Sequence, residues 1–226
     1  MTTSRRRPGR PRGTARDPRE RRADLLVAAE GAIRTHGSGV SMEQIAEAAQ
    51  VSKATLYDNF DGKRGLTDAL LERYGARLLG EIARGLDQPL TPHQVLRGGI
   101  GVFIAVIERD EQLFQFVLAE GASKAMLDES AAPVATLLDN LLRTAGVDPS
   151  GAEVLARAVL GGIFAAAEHW AASPTISRAE FVDRLDALLW PGLAAAGLDR
   201  IDGPIDLSEF ARLIAEAPAP DDAGLG

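Results

Sequence analysis

The sequence predicts an all-α fold, and three observations support this expectation. The 226 residues are rich in Ala and Gly but contain only two Tyr and two Trp, a composition that favours helix over strand. Apolar residues recur three and four positions apart along most of the chain. Gly, Pro and Asp divide these stretches into segments of about 10 to 20 residues, the usual length of a globular helix. With 46% apolar residues, the helices can bury a substantial core.

Charge is distributed unevenly along the chain. Residues 1–65 hold 13 Lys or Arg against 8 Asp or Glu, whereas residues 66–226 hold 12 against 24. A basic end on an acidic body indicates that this end meets a polyanion, and a solvated basic tail is the alternative. Residues 1–18 are rich in Arg, Pro and Gly and are predicted to form a disordered basic arm.

Composition also argues against several classes of protein. The chain has no cysteine, which excludes disulfides and thiol chemistry and fits a reducing compartment. The charged N-terminus is not followed by an apolar signal core, and no run approaches the roughly 20 apolar residues of a membrane span. We therefore expect a cytoplasmic protein with no membrane partner.

Residues 19–60 contain the start and stop signals of three short helices. The first begins near Arg19 and ends at His36–Gly37. Ser41 is placed to cap the second, with an amide at the position that a capping box requires. Ser52 caps the third, and Val51 and Leu56 on either side of it can form a hydrophobic staple. Two short helices joined by such a tight corner predict a helix-turn-helix.

The third helix has too few apolar residues to serve mainly for packing. Leu56 and Phe60 give it one narrow buried stripe, and the remaining side chains are free to meet DNA in a major groove. An ordinary solvent-facing helix is the alternative. Lys53, Ala54 and Thr55 are predicted to reach base edges, and Lys53 could instead bind a phosphate. Tyr57 and Lys63 suit backbone phosphates, and Ser41 and Ser52 lie at helix starts, where free N–H groups attract phosphate. Asn59 on the third helix is also predicted to bind DNA, and Arg10 and Arg12 belong to an arm that can lie in a narrow minor groove.

The stretches "LLVAAEGAIRTHG" and "SMEQIAEAAQVSKATLYDNFDGKRGL" resemble the TetR-type (TetR/AcrR) one-component transcriptional regulators over residues 19–70. Three residues depart from the family pattern. Gln50 stands at the corner where Gly is common, Ala54 also replaces a usual Gly, and Asn59 replaces His or Tyr. If the corner needs a left-handed backbone, Gln50 costs about 1–2 kcal/mol there.

The resemblance implies a homodimer with a C-terminal domain that binds a small molecule. Its last two long helices, predicted at 151–172 and 178–196, would form the dimer interface, where Gly161 and Gly162 permit close approach. Further helices are predicted at 93–109, 110–122 and 131–145. We divide the chain into a helix-turn-helix domain at 19–66, a helical effector-binding and dimerisation domain at 67–200, and a C-terminal extension at 201–226 whose end is disordered.

The effector pocket is predicted from aromatic and apolar side chains, with one histidine as a polar contact: Phe103, Ile107, Phe114, Phe116, Phe164, His169 and Trp170. The same residues could instead be ordinary core. Three histidines and no cysteine argue against a metal site, and no cofactor is expected.

With the resemblance, the sequence predicts a repressor that binds a palindromic operator in double-stranded DNA and is released by a hydrophobic or amphipathic effector; an activator, which needs the opposite ligand preference, is the alternative. A ligand that prefers a different spacing of the two recognition helices would lower DNA affinity. Two alternatives are a nonspecific architectural DNA-binding protein and a small-molecule carrier with an incidental basic arm. An enzyme is disfavoured because no nucleophile–base pair, phosphate loop or metal-binding motif is present.

Overall fold

The computed structural model describes residues 17–85, 88–121 and 123–215, and over these ranges it contains helices and no β-strand. A single antiparallel bridge joins Leu90 and Ile205. In chain order the helices are α1 (Pro18–His36), α2 (Met42–Ala48), α3 (Lys53–Phe60), α4 (Gly62–Gly85), α5 (Pro92–Arg109), α6 (Glu111–Ala119), α7 (Ser123–Thr144), α8 (Ala152–Ala172), α9 (Arg178–Ala195) and α10 (Ser208–Ala215). The all-α prediction is confirmed.

Local capping explains where the first three helices begin. The Asp17 side chain accepts a hydrogen bond from the Arg19 backbone N–H, and Pro18 occupies the first position of α1. Ser41 and Gln44 form the expected capping box at α2. The Ser52 side chain accepts from the Thr55 backbone N–H, which starts α3 as the sequence indicates.

The corner between α2 and α3 requires a left-handed backbone. Gln50 has a φ of 54°. The backbone N–H of the next residue, Val51, donates a hydrogen bond to the Ala46 carbonyl at 3.0 Å. A side chain at this φ is strained, because Cβ approaches the following carbonyl oxygen. The left-handed backbone on which the expected cost at Gln50 depends is thus present, and the cost itself stays a prediction.

Helices α5, α6, α8 and α9 match the expected spans closely, whereas α7 begins at Ser123 and α10 was not predicted. The proposed division between residues 66 and 67 falls inside α4, a continuous helix that begins at Gly62 just after α3 and ends at Gly85. The proposed extension contains α10, and residues 216–226 lie outside the described residues.

Three apolar clusters hold the described helices together. The largest runs from α1 through α9, a second joins α7, α8 and the end of α9, and a third is centred on α10. Leu207 and Phe210 are the buried residues of the third cluster, where they pack against α4, α5 and α7. The C-terminal helix therefore closes over the body without entering its main core.

A group of ion pairs, which we call the buried ion cluster, connects α1, α4 and the start of α6. Its two carboxylates, Glu30 and Asp110, are 4% and 8% exposed. Glu30 accepts from Arg73 at 2.9 Å and from Arg77 at 3.4 Å, while Asp110 accepts from Arg34 at 2.9 Å and from Arg77 at 3.0 Å. Because Arg77 contacts both carboxylates, it links α4 to α1 and to the start of α6.

Among the described residues, one segment, 149–172, is long and apolar enough to cross a bilayer, with a mean hydropathy of 1.3. It comprises α8 and the turn before it. Core helices of water-soluble proteins share this composition, and α8 packs along α7 and buries Ala156, Ile163 and Ala167. We therefore interpret α8 as a helix of the folded body.

Candidate nucleic-acid interface and apolar cavity

The α3 helix presents one buried and one open face. Leu56 is fully buried and Phe60 is 3% exposed, so both anchor the helix to the body. Lys53 and Ala54 are exposed, and Tyr57 is a large aromatic residue with 45% of its surface open. An exposed tyrosine beside a lysine on a capped short helix is a chemically suitable surface for a nucleic acid, because it offers both charge and hydrogen-bond donors.

Both lysines of this surface are paired with carboxylates. Lys53 donates to Glu43 of α2, and this bond lowers the pKa of Glu43 and raises the pKa of Lys53. Lys63, at the start of α4, lies 3.4 Å from Glu120 just beyond α6. A phosphate that binds either lysine has to compete with the paired carboxylate. These two ion pairs were not predicted from the sequence.

The remaining predicted DNA contacts have mixed surroundings. Ser52 and Thr55 are joined hydroxyl to hydroxyl at 2.9 Å, and Ser41 is occupied by its capping box. The Asn59 side chain donates to the Thr55 carbonyl at 2.7 Å, and Arg22 of α1 donates to the Asn59 carbonyl at 2.7 Å. Asn59 therefore stabilises the helix in this state. Arg10, Arg12 and the arm as far as residue 16 lie outside the described residues.

A cavity of about 140 Å³ lies between α4, α5, α7, α8 and α10. Ser130 is the one residue with a polar side chain among those that line it in the described chain. The others are Leu78, Leu79, Ile82, Val95, Leu96, Gly99, Ile100, Phe103, Pro133, Val134, Leu137, Val159, Leu160, Ile163, Phe164 and Phe210. Such a lining suits an uncharged apolar ligand, because a buried charge here would find no partner.

The structure places two of the seven predicted effector residues, Phe103 and Phe164, at this cavity, where their ring centroids are 4.9 Å apart. The others lie elsewhere. Ile107, Phe114 and Phe116 are buried in the main core outside the lining, and His169 is exposed. Trp170 packs against Phe181 and donates its indole N–H to the Ile176 carbonyl at 2.8 Å.

Sequence reasoning missed most of the cavity because its lining is aliphatic. Leucines and valines at helical spacing look the same whether they fill a core or border a void. Phe210 was missed for a different reason, since it lies in a segment interpreted as an extension. Within the described residues, no group of His, Asp or Glu is arranged to hold a metal ion.

Comparison with known proteins identifies the segment that contains the helix-turn-helix. Residues 25–70 match the family model described as "Bacterial regulatory proteins, tetR family". The chain is 31% identical over 181 residues to the uncharacterized HTH-type transcriptional regulator Rv0472c of Mycobacterium tuberculosis, covering 77% of each protein. It is 28% identical over 200 residues to the HTH-type transcriptional activator FasR of Mycolicibacterium smegmatis, covering 85% of this chain and 91% of that one.

A solved structure extends the similarity to the fold. The TetR-like transcriptional regulator from Rhodococcus sp. RHA1 superposes with a TM-score of 0.58 and 26% identity, covering 77% of this chain and 96% of that one. The matched residues include the capped corner and the exposed α3 helix, and the superposition includes the helical body. From the matched model, the curated relatives and this structure together, the chain belongs to the tetR family of bacterial transcriptional regulators.

Proposed function

We propose that this regulator is a cytoplasmic repressor, which binds a palindromic operator as a homodimer and releases it when an apolar molecule fills the cavity. The observation that carries the proposal is the open face of α3, since Leu56 and Phe60 anchor the helix while Lys53, Ala54 and Tyr57 remain exposed. Regulators of this family bind DNA, often as dimers, and some bind small molecules.

Two exposed apolar stripes support the homodimer. On α8 the stripe consists of Val154, Ala158, Gly162 and Ala165, and on α9 of Leu188, Pro191 and Ala195. Val154 and Leu188 are 72% and 71% exposed, which is unusual for large aliphatic side chains. Small residues on α8 allow a second copy to approach closely. Trp170 and Trp190 contact Phe181 and His93, respectively, in the same chain.

The dimer can be tested separately from DNA binding. Replacing Leu188 with Glu should convert the protein to a monomer in sedimentation velocity, because a buried charge in the interface would lack a partner. Val27→Glu is the matched control, since Val27 is also an exposed large aliphatic residue but lies on α1. A Leu188→Glu protein that sediments with the wild type would exclude this face.

The buried ion cluster supports coupling between the two sites. Arg77 lies one residue before Leu78 of the cavity lining, and its guanidinium reaches Glu30 of α1 and Asp110 of α6. A ligand that displaces α4 at Leu78 must also disturb these ion pairs. The free energy that couples ligand to DNA is typically about 1–3 kcal/mol in such systems, and it acts equally in both directions.

The direction of regulation needs its own experiment, because FasR is named an activator. Selection of genomic fragments with the purified protein would identify the operator, and a promoter reporter would then give the sign. Repression predicts that deletion of the gene raises reporter output. Lower output on deletion would make the protein an activator, and selection of no common sequence would favour the architectural DNA-binding alternative.

The DNA surface predicts a change in salt dependence. Tyr57→Ala and Lys63→Ala should weaken binding to all sequences, and loss of the lysine should reduce the slope of log affinity against log salt by about one. Arg143→Ala, which removes a basic residue from the last turn of α7, should leave both quantities unchanged. Altered base preference with an unchanged slope would contradict the assignment of Lys63 to phosphate, and absence of salt-dependent binding would favour the carrier alternative.

A further inference from the structure

The cavity is too small in its present form for most effectors. Its volume is about 140 Å³. An engineered apolar cavity of about 150 Å³ is known to hold benzene, so the cavity in its present form accommodates a ligand of roughly one aromatic ring. A larger molecule can enter only if a lining side chain moves.

Phe210 is the side chain whose movement would have the greatest effect. It lines the cavity and also two grooves on the surface, one on each side of α10. The first groove includes Arg84 and Asp206, and the second includes Asn140 and Glu209. The Phe210 ring therefore lies between the apolar cavity and two surface grooves that include polar side chains.

The helix that carries Phe210 is attached separately from the main core. Leu207 and Phe210 are the buried residues of its own small cluster. At the base of α10, the Ile205 N–H donates to the Leu90 carbonyl at 2.9 Å, and on its exposed side Asn140 donates to Glu209 at 2.9 Å. Outward movement of α10 would thus leave the main cluster of α1 to α9 intact.

We propose that α10 is a lid over the effector cavity, with Phe210 as its plug, and that the effector is an uncharged apolar molecule larger than the present cavity. The ligand enters when Phe210 leaves, and any polar group that it carries stays at the Phe210 end, where Arg84 and Asn140 line the two grooves. This inference rests on the proposed function, because it takes the cavity to be the effector site.

A fluorescent apolar probe, N-phenyl-1-naphthylamine, tests the plug in the full-length protein. The wild type has to expel the Phe210 ring before the probe binds, which reduces apparent affinity by the fraction of open protein. Phe210→Ala removes that requirement and should lower the Kd for the probe about tenfold or more. Leu213→Ala is the control, since Leu213 lies on the same helix and lines a surface groove but not the cavity. The proposal fails if Phe210→Ala binds like the wild type.

A cross-link between α10 and α7 tests the lid. The same protein is measured before and after the reaction, so a folding defect of the variant would be detected before cross-linking. The chain has no cysteine, so Asn140→Cys and Glu209→Cys introduce the sole thiols, at two exposed side chains that contact each other. A short bismaleimide should join α10 to α7 and slow probe association at least tenfold relative to the same protein before reaction. Unchanged association after complete cross-linking would overturn the lid.

The same proteins distinguish failure of the lid from failure of the proposed function. If the probe binds every variant at equal rates and still weakens operator binding, the cavity is the effector site but α10 is no lid. If the probe binds no variant, the lid is overturned together with the cavity as the effector site. Selection of an operator by unmodified protein remains an independent measure of DNA binding.

Discussion

The two ends of α4 lie in opposite surroundings. Its first turn carries Lys63 on a polar surface beside α3, whereas Leu78, Leu79 and Ile82 near its far end line an apolar cavity. The polar end depends on caps and turns that involve residues three or four apart in sequence. The apolar end depends on packing between helices that are distant in sequence. Local contacts thus define the DNA-binding end, and long-range contacts define the end that borders the cavity.

The largest effect is expected at Gly65, where α4 approaches α3 most closely. A Cβ atom at Gly65 would lie 1.7 Å from the Phe60 carbonyl oxygen, so the backbone would have to move. Gly65→Ala should lower the free energy of unfolding by on the order of 3 kcal/mol and abolish operator binding. Urea denaturation and a DNA titration measure the two effects.

Gly80→Ala is the matched control in the same helix, because nothing lies within 4 Å of its added Cβ. It should be neutral or stabilising by about 1 kcal/mol, from helix propensity alone. If Gly65→Ala were as stable as Gly80→Ala, the DNA-binding end would not depend on this close approach.

A second test addresses the buried ion cluster, which lies between the two ends of α4. Asp110→Asn removes one buried carboxylate of the ion cluster while keeping its shape, which leaves Arg34, Arg77 and Arg109 facing a neutral amide. Because these arginines also reach solvent, the expected loss in the free energy of unfolding is about 1–3 kcal/mol, below the range for fully buried pairs. Thermal and urea denaturation give the value.

Asp139→Asn provides the comparison, since Asp139 pairs with Arg143 at 2.7 Å on an exposed face. A surface pair of this kind is screened by solvent and contributes much less than a buried one. Equal losses from the two substitutions would show that the buried ion cluster stabilises the junction no more than an ordinary surface pair does.

A smaller effect is expected at the corner of the helix-turn-helix. Gln50→Gly should raise the free energy of unfolding by about 1 kcal/mol, because Gly adopts a φ of 54° without the steric cost of a Cβ atom. Gln50→Ala retains that cost and should leave stability unchanged. If Gly and Ala gave the same stability, the left-handed conformation at Gln50 would not be strained.

The smallest effect concerns the lysine of the recognition helix. Glu43→Gln frees Lys53 and removes a negative charge from the DNA-facing surface, so operator binding at low salt should tighten roughly two- to fivefold. Glu47→Gln removes an equal charge from the same helix and should change affinity less. A DNA titration that ranks the two variants in the opposite order would contradict competition between Glu43 and DNA.

This last effect also has a defined pH dependence. The hydrogen bond from Lys53 holds the pKa of Glu43 below its ordinary value, so the pair persists through the usual titration range of a carboxyl group. The difference between wild type and Glu43→Gln should therefore be full at neutral pH. It should disappear only as the pH falls through the lowered pKa of Glu43 in the folded protein.

The DNA-binding end could be predicted from sequence in detail because its determinants are local. Ser41 with Gln44, Ser52 with Thr55, and the buried Leu56 and Phe60 all follow from spacings of three or four residues. The cavity could not be predicted in this way. Phe103 and Phe164 were identified by residue type, but Phe210 reaches the cavity from a part of the chain more than 40 residues beyond Phe164, and no local pattern indicates that approach.

The uninterrupted course of α4 has a mechanical consequence for a protein that responds to a ligand. With a rise of about 1.5 Å per residue, Leu78 lies about 24 Å along the helix from Gly62. No break in the helix separates the two, so a tilt of about 5° at the cavity would move the first turn by about 2 Å, since a rigid rod magnifies rotation with its length. Under the proposed function, a ligand that tilts α4 at the cavity would therefore shift each recognition helix on DNA.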